Sequence, residues 1–201
     1  MTATTAPAAA PARITIADAL PLPRTIVRPI VIMVGIAALT ALAAQISFHL
    51  PWTPVPVTGQ TFAVLLTGAA VGWRLGAAGQ LLYLVAGIVG LPVYTGATHG
   101  WKVASGATSG YLIGFIVAAG LVGLLAERRQ DRSLLTSLPA MLAGTAIIYA
   151  LGAAWLSHSQ HYGIQEAIEK GVAPFLIGDT IKLIAAGALL PATWRLLEKD
   201  K

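Results

Sequence analysis

An acid and a base stand three residues apart in Gly178-Asp179-Thr180-Ile181-Lys182, a spacing that puts both on one face of a helix. The surrounding stretch, 173–197, is otherwise mostly apolar. An ionisable group at the middle of a bilayer helix costs roughly 2.5–3.5 kcal/mol on insertion scales, so Asp179 and Lys182 are expected to face the interior of a helical bundle. Two chemistries are open to them: anchoring a polar ligand, or locking two helices together as an ion pair. Catalysis would need a second convergent acid, nucleophile or metal. Asp179 is the single acid inside any apolar run of the chain, which argues against an intramembrane enzyme.

Other candidates lie between the apolar runs. The stretch 92–110 contains two similar pieces, Gly96-Ala-Thr-His-Gly100 and Gly106-Ala-Thr-Ser-Gly110, and is long for a mere connector. Glycine lets backbone approach a ligand closely. Tyr94, Trp101 and Tyr111 are expected to close over an apolar ring and Thr108 to hydrogen-bond it; the alternative is a flexible outer loop. No Gly-Lys-Ser or Gly-Lys-Thr follows at the spacing of a nucleotide-binding loop. The stretch 51–59 carries three prolines, Pro51, Pro54 and Pro56, whose fixed φ stiffens it. It delivers Gln60, which offers both donor and acceptor to a ligand or to a neighbouring helix. His158 and His161 have no third partner at a metal-binding spacing, so no metal is expected. Ala37 and Ala41 form a small-xxx-small pattern that permits close helix approach.

The elements that position these residues follow from composition. Of 201 residues, 56% are hydrophobic and 10% charged, with no cysteine, and the mean hydropathy is +0.76. A soluble domain carries roughly 25% charged residues, so this chain is expected to present its surface to lipid, as an all-α membrane protein. The absence of cysteine excludes disulfides and thiol chemistry. The net charge of +5 comes from small groups of Lys and Arg without a basic stripe or interleaved aromatics, so nucleic acid is not an expected partner.

Six apolar runs, 26–50, 60–72, 75–91, 111–126, 138–157 and 173–197, are divided by Pro, Gly or charged residues. Most reach the roughly 17–25 residues that span a bilayer; 60–72 is short. With six crossings and a cytoplasmic amino terminus, Arg13, Arg24, Arg28, Arg74, Arg128, Arg129, Arg132, Arg195, Lys199 and Lys201 lie inside, and only Lys102 and Lys170 outside. Making 60–72 re-entrant reverses this bias, against the positive-inside rule. Six transmembrane helices with both termini cytoplasmic are therefore expected. Residues 1–25 would be a flexible cytoplasmic tail, disordered over its Ala/Thr/Pro-rich start, 26–197 the membrane domain and 198–201 a cytoplasmic end. Arg24 and Arg28 ahead of an apolar stretch ending in Ala41-Leu42-Ala43 also fit a cleaved signal peptide, which would leave five crossings.

Four stretches, Pro54-Val-Pro-Val-Thr-Gly-Gln-Thr-Phe62, Gly90-Leu-Pro-Val-Tyr94, Gly106-Ala-Thr-Ser-Gly-Tyr-Leu-Ile-Gly-Phe115 and Pro174-Phe-Leu-Ile-Gly-Asp-Thr-Ile-Lys182, together resemble the BioY family, the biotin-specific substrate-binding (S) components of energy-coupling factor (ECF) transporters. The resemblance runs from about Pro29 to Leu197. It implies a six-helix S-component bundle in the bacterial cytoplasmic membrane, with biotin captured near the outer face as transported substrate. It implies no cofactor of the chain's own, and as partners a transmembrane coupling protein (the T component) and two cytoplasmic ATPases that use the ATP. It further implies Asp179 and Lys182 as binding-site positions, Gln60 and Tyr111 as motif positions, and Ala37 and Ala41 as a docking face for the coupling protein. The chain departs from the family where Gly106-Ala-Thr-Ser-Gly-Tyr111 replaces Gly-Pro-Thr-Gly-Gly-Tyr. The site is expected at the outer ends of the second, fourth and sixth runs, capped by the first and third outer loops. Asp179 suits a ureido N–H, while Lys182 suits either the ureido carbonyl or the valerate carboxylate. A solitary carrier working without ATPases and a purely structural subunit are the remaining alternatives.

Overall fold

A computed structural model describes residues 15–19 and 25–199. The protein is mostly helical, and each apolar run contains a helix: α1 (Val27–Gln45), α2 (Gln60–Val71), α3 (Trp73–Ile88), α5 (Ser109–Glu127), α6 (Leu134–Gln160) and α8 (Leu176–Lys199). Two short helices, α4 (Trp101–Ala104) and α7 (Ile164–Gly171), lie in the connections. Among the described residues, four segments are long and apolar enough to cross a membrane: α1, α5, α6 and the stretch ending in α8. With α2 and α3 shorter, the chain reads as a multi-pass membrane protein. The first run stops being helical at Gln45, because Ser47–Phe48 (β1) pairs antiparallel with Val57–Thr58 (β2), folding the proline-rich loop back over the bundle.

Turn chemistry sets the α2–α3 boundary. Gly72 adopts φ +88°, a left-handed value that glycine takes without Cβ strain. The Glu127 carboxylate accepts the Trp73 backbone N–H at 3.1 Å, satisfying one of the free donors at the start of α3.

At the centre is α5, packed against α2, α3 and α6. Its buried face is built of small residues, among them Gly110, Gly114, Ala118, Ala119 and Gly123. A Cβ on Gly68 of α2 would lie 2.7 Å from the Ala119 carbonyl oxygen, and one on Gly114 would lie 3.0 Å from Ile148 Cα of α6. Such backbone proximity is the usual means of helix association where lipid removes the hydrophobic drive. Polar pairs add register: Gln80 Nε2 of α3 donates to Thr40 Oγ1 of α1 at 3.0 Å, and the Thr40 hydroxyl donates to the Ile36 carbonyl at 2.9 Å. Ala37 and Ala41 are half-buried and pack against the bundle core. Gly35 and Ala38, one or two positions away, are exposed.

The turn between α5 and α6 holds a second polar cluster. Trp194 Nε1 of α8 donates to Asp131 Oδ2, and the Arg132 guanidinium lies 3.2 Å from the Trp194 ring centroid. Burial pushes the Asp131 carboxyl above the usual carboxylate range, against the lowering effects of the Trp194 N–H and of Arg132.

Much of the expected tail lies outside the described residues, including Arg13 and Arg24, as does Lys201. Within the tail, Ile16–Ala19 forms a 3₁₀ turn with Ala17 buried beside Ile32 and Ile36.

Candidate functional site

The loops and helix ends border a cavity of about 270 Å³, just below the roughly 300–1,000 Å³ typical of ligand pockets. Its walls are mostly apolar and aromatic, with Leu112, Phe115, Ile148 and Phe175 prominent, and of its polar lining residues Thr61 and Tyr149 bond Asp179.

Asp179 sits one turn into α8 and is 5% exposed. Its Oδ1 accepts from Lys182 Nζ at 2.6 Å and from the Thr61 hydroxyl at 3.0 Å. Its Oδ2 accepts from the Tyr149 hydroxyl at 2.8 Å. Donors from α2, α6 and α8 thus converge on one carboxylate. A carboxylate offers about four lone-pair positions, so one acceptor position on Oδ2 is left over. Lys182 does not line the cavity. Its ammonium donates to the Thr58 carbonyl at 2.6 Å and lies 3.5 Å from Thr61 Oγ1, besides pairing with Asp179. The expected juxtaposition of Asp179 and Lys182 is present, with Lys182 standing behind the carboxylate rather than beside it at the cavity wall.

Gln60, 5% exposed, lines the cavity with its amide held at both ends. Its Oε1 accepts the Thr58 hydroxyl at 3.0 Å and its Nε2 donates to Tyr83 Oη at 2.9 Å. Tyr83 in turn donates to the Val93 carbonyl at 3.2 Å. The two readings of Gln60 meet here, since it is both a wall residue and a bridge between helices.

Tyr111 lines the cavity from the first turns of α5, with its hydroxyl donating to the Gly171 carbonyl at 2.6 Å. Its ring lies edge-on to Phe175 at 6.3 Å and fits against Gly152, where any Cβ would collide with it. Thr108 immediately precedes α5, makes no side-chain capping bond to it, and lines the cavity. Tyr94, 3% exposed, contributes its ring, edge-on to Tyr83 at 5.6 Å. Its hydroxyl turns back to the Leu84 carbonyl at 2.6 Å. Burial holds this phenol above its ordinary pKa, so it stays a neutral donor.

Trp101 departs from expectation. It is 69% exposed on α4 and does not line the cavity, whereas Val103 on the same short helix does. The third and fifth runs are not among the expected contributors, yet Tyr83, Ile148 and Tyr149 supply wall; the stretch 92–110, expected to cover a ligand, contributes Tyr94, Thr95, Thr98, Val103 and Thr108. Tyr149 has a legible signal, because a phenol inside an apolar run needs a buried partner. Thr61 adjoins Gln60 in the motif itself. His158 faces Trp155 at 6.0 Å between ring centroids, and His161 takes φ +58° at the end of α6. No group of three metal-capable side chains occurs among the described residues.

Comparison with known proteins adds a second line. A crystal structure of the S-component for biotin from an ECF-type ABC transporter superposes with a TM-score of 0.77 at 22% identity, covering 84% of this chain and 92% of that one. The likeness establishes the fold. A biotin transporter BioY of Thermotoga maritima is 40% identical over 164 residues, 82% of this chain and 94% of that protein. A probable biotin transporter BioY of Pyrococcus horikoshii is 35% identical over 149 residues, 74% and 85% of the two chains. The model of the BioY family matches residues 10–199. With helices, cavity and polar anchors arranged as above, the chain belongs to the BioY family.

Proposed function

We propose that the protein takes up biotin across the bacterial cytoplasmic membrane, as the substrate-binding component of an ECF-type transporter. The observation that carries this reading is the Asp179 carboxylate, fixed by three donors with one acceptor position left, in a mostly apolar cavity. Biotin presents an apolar bicycle, two ureido N–H donors and a carboxylate tail. Its ureido edge suits Asp179, and its rings suit Leu112, Phe115, Ile148 and Phe175. Lys182, engaged with Thr58 and Asp179 and absent from the cavity lining, fits the role of orienting the Asp179 carboxylate better than that of meeting the valerate. The names of the relatives from Thermotoga maritima and Pyrococcus horikoshii support the same substrate.

Six crossings with both termini cytoplasmic give the charge bias described above, and put the cavity on the outer side. Partners are a transmembrane coupling protein and two ATPases. The coupling protein approaches α1 along its small residues, with the half-buried Ala37 and Ala41 bordering the exposed Gly35 and Ala38.

The test is equilibrium binding of biotin to the purified, ligand-free protein, with thiamine and riboflavin as controls. Saturable one-to-one binding of biotin alone supports the reading, and folded protein that ignores biotin refutes it. Uptake unchanged on deleting the ATPases would refute the energy coupling.

A further inference from the structure

The polar lining of the cavity falls into two chemically different groups. Asp179, Tyr149 and Thr61, joined by hydrogen bonds, form the polar anchor. His49, Thr95 and Thr98, from the connections between helices, form the other, and of these His49 and Thr98 are exposed, so this group marks the solvent-facing end. With the ureido edge at Asp179, as proposed above, the valerate tail runs toward this second end.

No lysine or arginine is among the described residues lining the cavity, and Asp179 is the one carboxylate there. Lys182 is occupied behind the wall by Asp179 and the Thr58 carbonyl. Lys102, on α4, is exposed and not part of the lining. The groups that do border the tail end, threonine hydroxyls and an imidazole, can donate to an amide carbonyl as well as to a carboxylate. A charge-assisted bond from a fixed cation is the interaction that would separate the two, and it is missing from the wall. Because the end is formed by exposed side chains, a substituent beyond the carbonyl runs toward solvent instead of into packed protein.

We propose that this site binds biotin amides, including biotin joined to the ε-amino group of lysine, about as tightly as free biotin. The ligand class is then the ureido bicycle with an open-ended acyl chain. It includes the fragments released when proteins carrying biotin on a lysine are degraded. This inference rests on the ureido-inward orientation of the preceding section.

The test is competition binding at pH 7.5 on the purified full chain, with labelled biotin displaced by biotin, biotinamide or ε-biotinyl-lysine. Dissociation constants within about threefold of one another are expected, since no ion pair is lost. Tight biotin binding with either amide weakened more than about tenfold would mean that a cation or a closed wall reads the carboxylate, overturning the inference while sparing the proposed function. Failure of biotin itself to bind would remove both. Lys102→Ala is expected to leave the ratio of biotin to biotinamide affinity unchanged. A fall in affinity for biotin alone would identify Lys102 as the missing cation and refute the proposal.

Discussion

Replacing Tyr149 with Phe deletes one oxygen, and with it the hydrogen bond to Asp179 Oδ2 at 2.8 Å. Hydrogen bonds to charged groups are worth about 1.5–3 kcal/mol. Tyr149 is half-buried at a cavity wall, where water can partly replace its hydroxyl, so the lower end applies. If that energy serves to aim Oδ2 at the ligand, Tyr149→Phe weakens biotin binding by about tenfold, the equivalent of 1.4 kcal/mol. Asp179→Asn removes the charge that the ligand N–H meets, and should weaken binding by about 10- to 150-fold, corresponding to 1.5–3 kcal/mol. The informative quantity is the double variant. Once Asp179→Asn has removed the carboxylate, Tyr149 has no anion to orient, and its loss should add little. Isothermal titration of the four proteins gives the coupling energy, expected at about 1 kcal/mol or more for groups in direct contact. Unliganded thermal melts of the same proteins separate folding from binding. Effects that add to within about 0.3–0.5 kcal/mol would refute the argument that Tyr149 acts through Asp179.

Gly152→Ala should lower the melting temperature and weaken biotin binding, since its Cβ collides with the Tyr111 ring and overpacking costs about 1–3 kcal/mol; differential scanning fluorimetry and titration check this. Gln60→Leu takes away the acceptor of the Thr58 hydroxyl and the donor to Tyr83, and should destabilise by about 1–3 kcal/mol, read as a lowered unfolding midpoint. Asp131 has its pKa raised by burial, so the folded state holds its proton more tightly than the unfolded chain and stability is lost as pH rises from the ordinary value through the raised one. Asp131→Asn should keep an acceptor for Trp194 without that loss. Its melting temperature should gain on the parent as pH rises above about 4, and a pH-independent difference would refute the assignment.

How much of this is legible in the sequence depends on whether a residue's role is local. The Asp179–Lys182 spacing announces a shared helix face, and the structure brings the two within 2.6 Å. What spacing cannot give is the order of the pair relative to the cavity, because that depends on the Thr58 carbonyl, 124 residues from Lys182. Trp101 illustrates the opposite error. An aromatic in a glycine-rich loop suggests a cover for a ring, but the side of α4 turned to the cavity carries Val103. Tyr149 escapes any reading that takes the fifth run as lipid-spanning filler, although a phenol in that setting needs a partner. The small-residue face of α5 shows why such a bundle closes so tightly, yet which glycine meets which backbone is a three-dimensional fact. Gly68 against Ala119 and Gly114 against Ile148 have no signature in composition.

The Tyr111 contact with Gly171 has a neighbour on the adjacent peptide group. The Thr53 hydroxyl donates to the Lys170 carbonyl at 2.6 Å, and Tyr111 donates to the next one along, that of Gly171. Consecutive Cα atoms are about 3.8 Å apart across a rigid trans peptide, so the proline-stiffened first loop and the aromatic wall of α5 are yoked through one stiff link at the end of α7. A displacement of that loop is transmitted to the Tyr111 ring with little slack. A loop lifted to admit substrate would therefore tilt the Tyr111 ring with it.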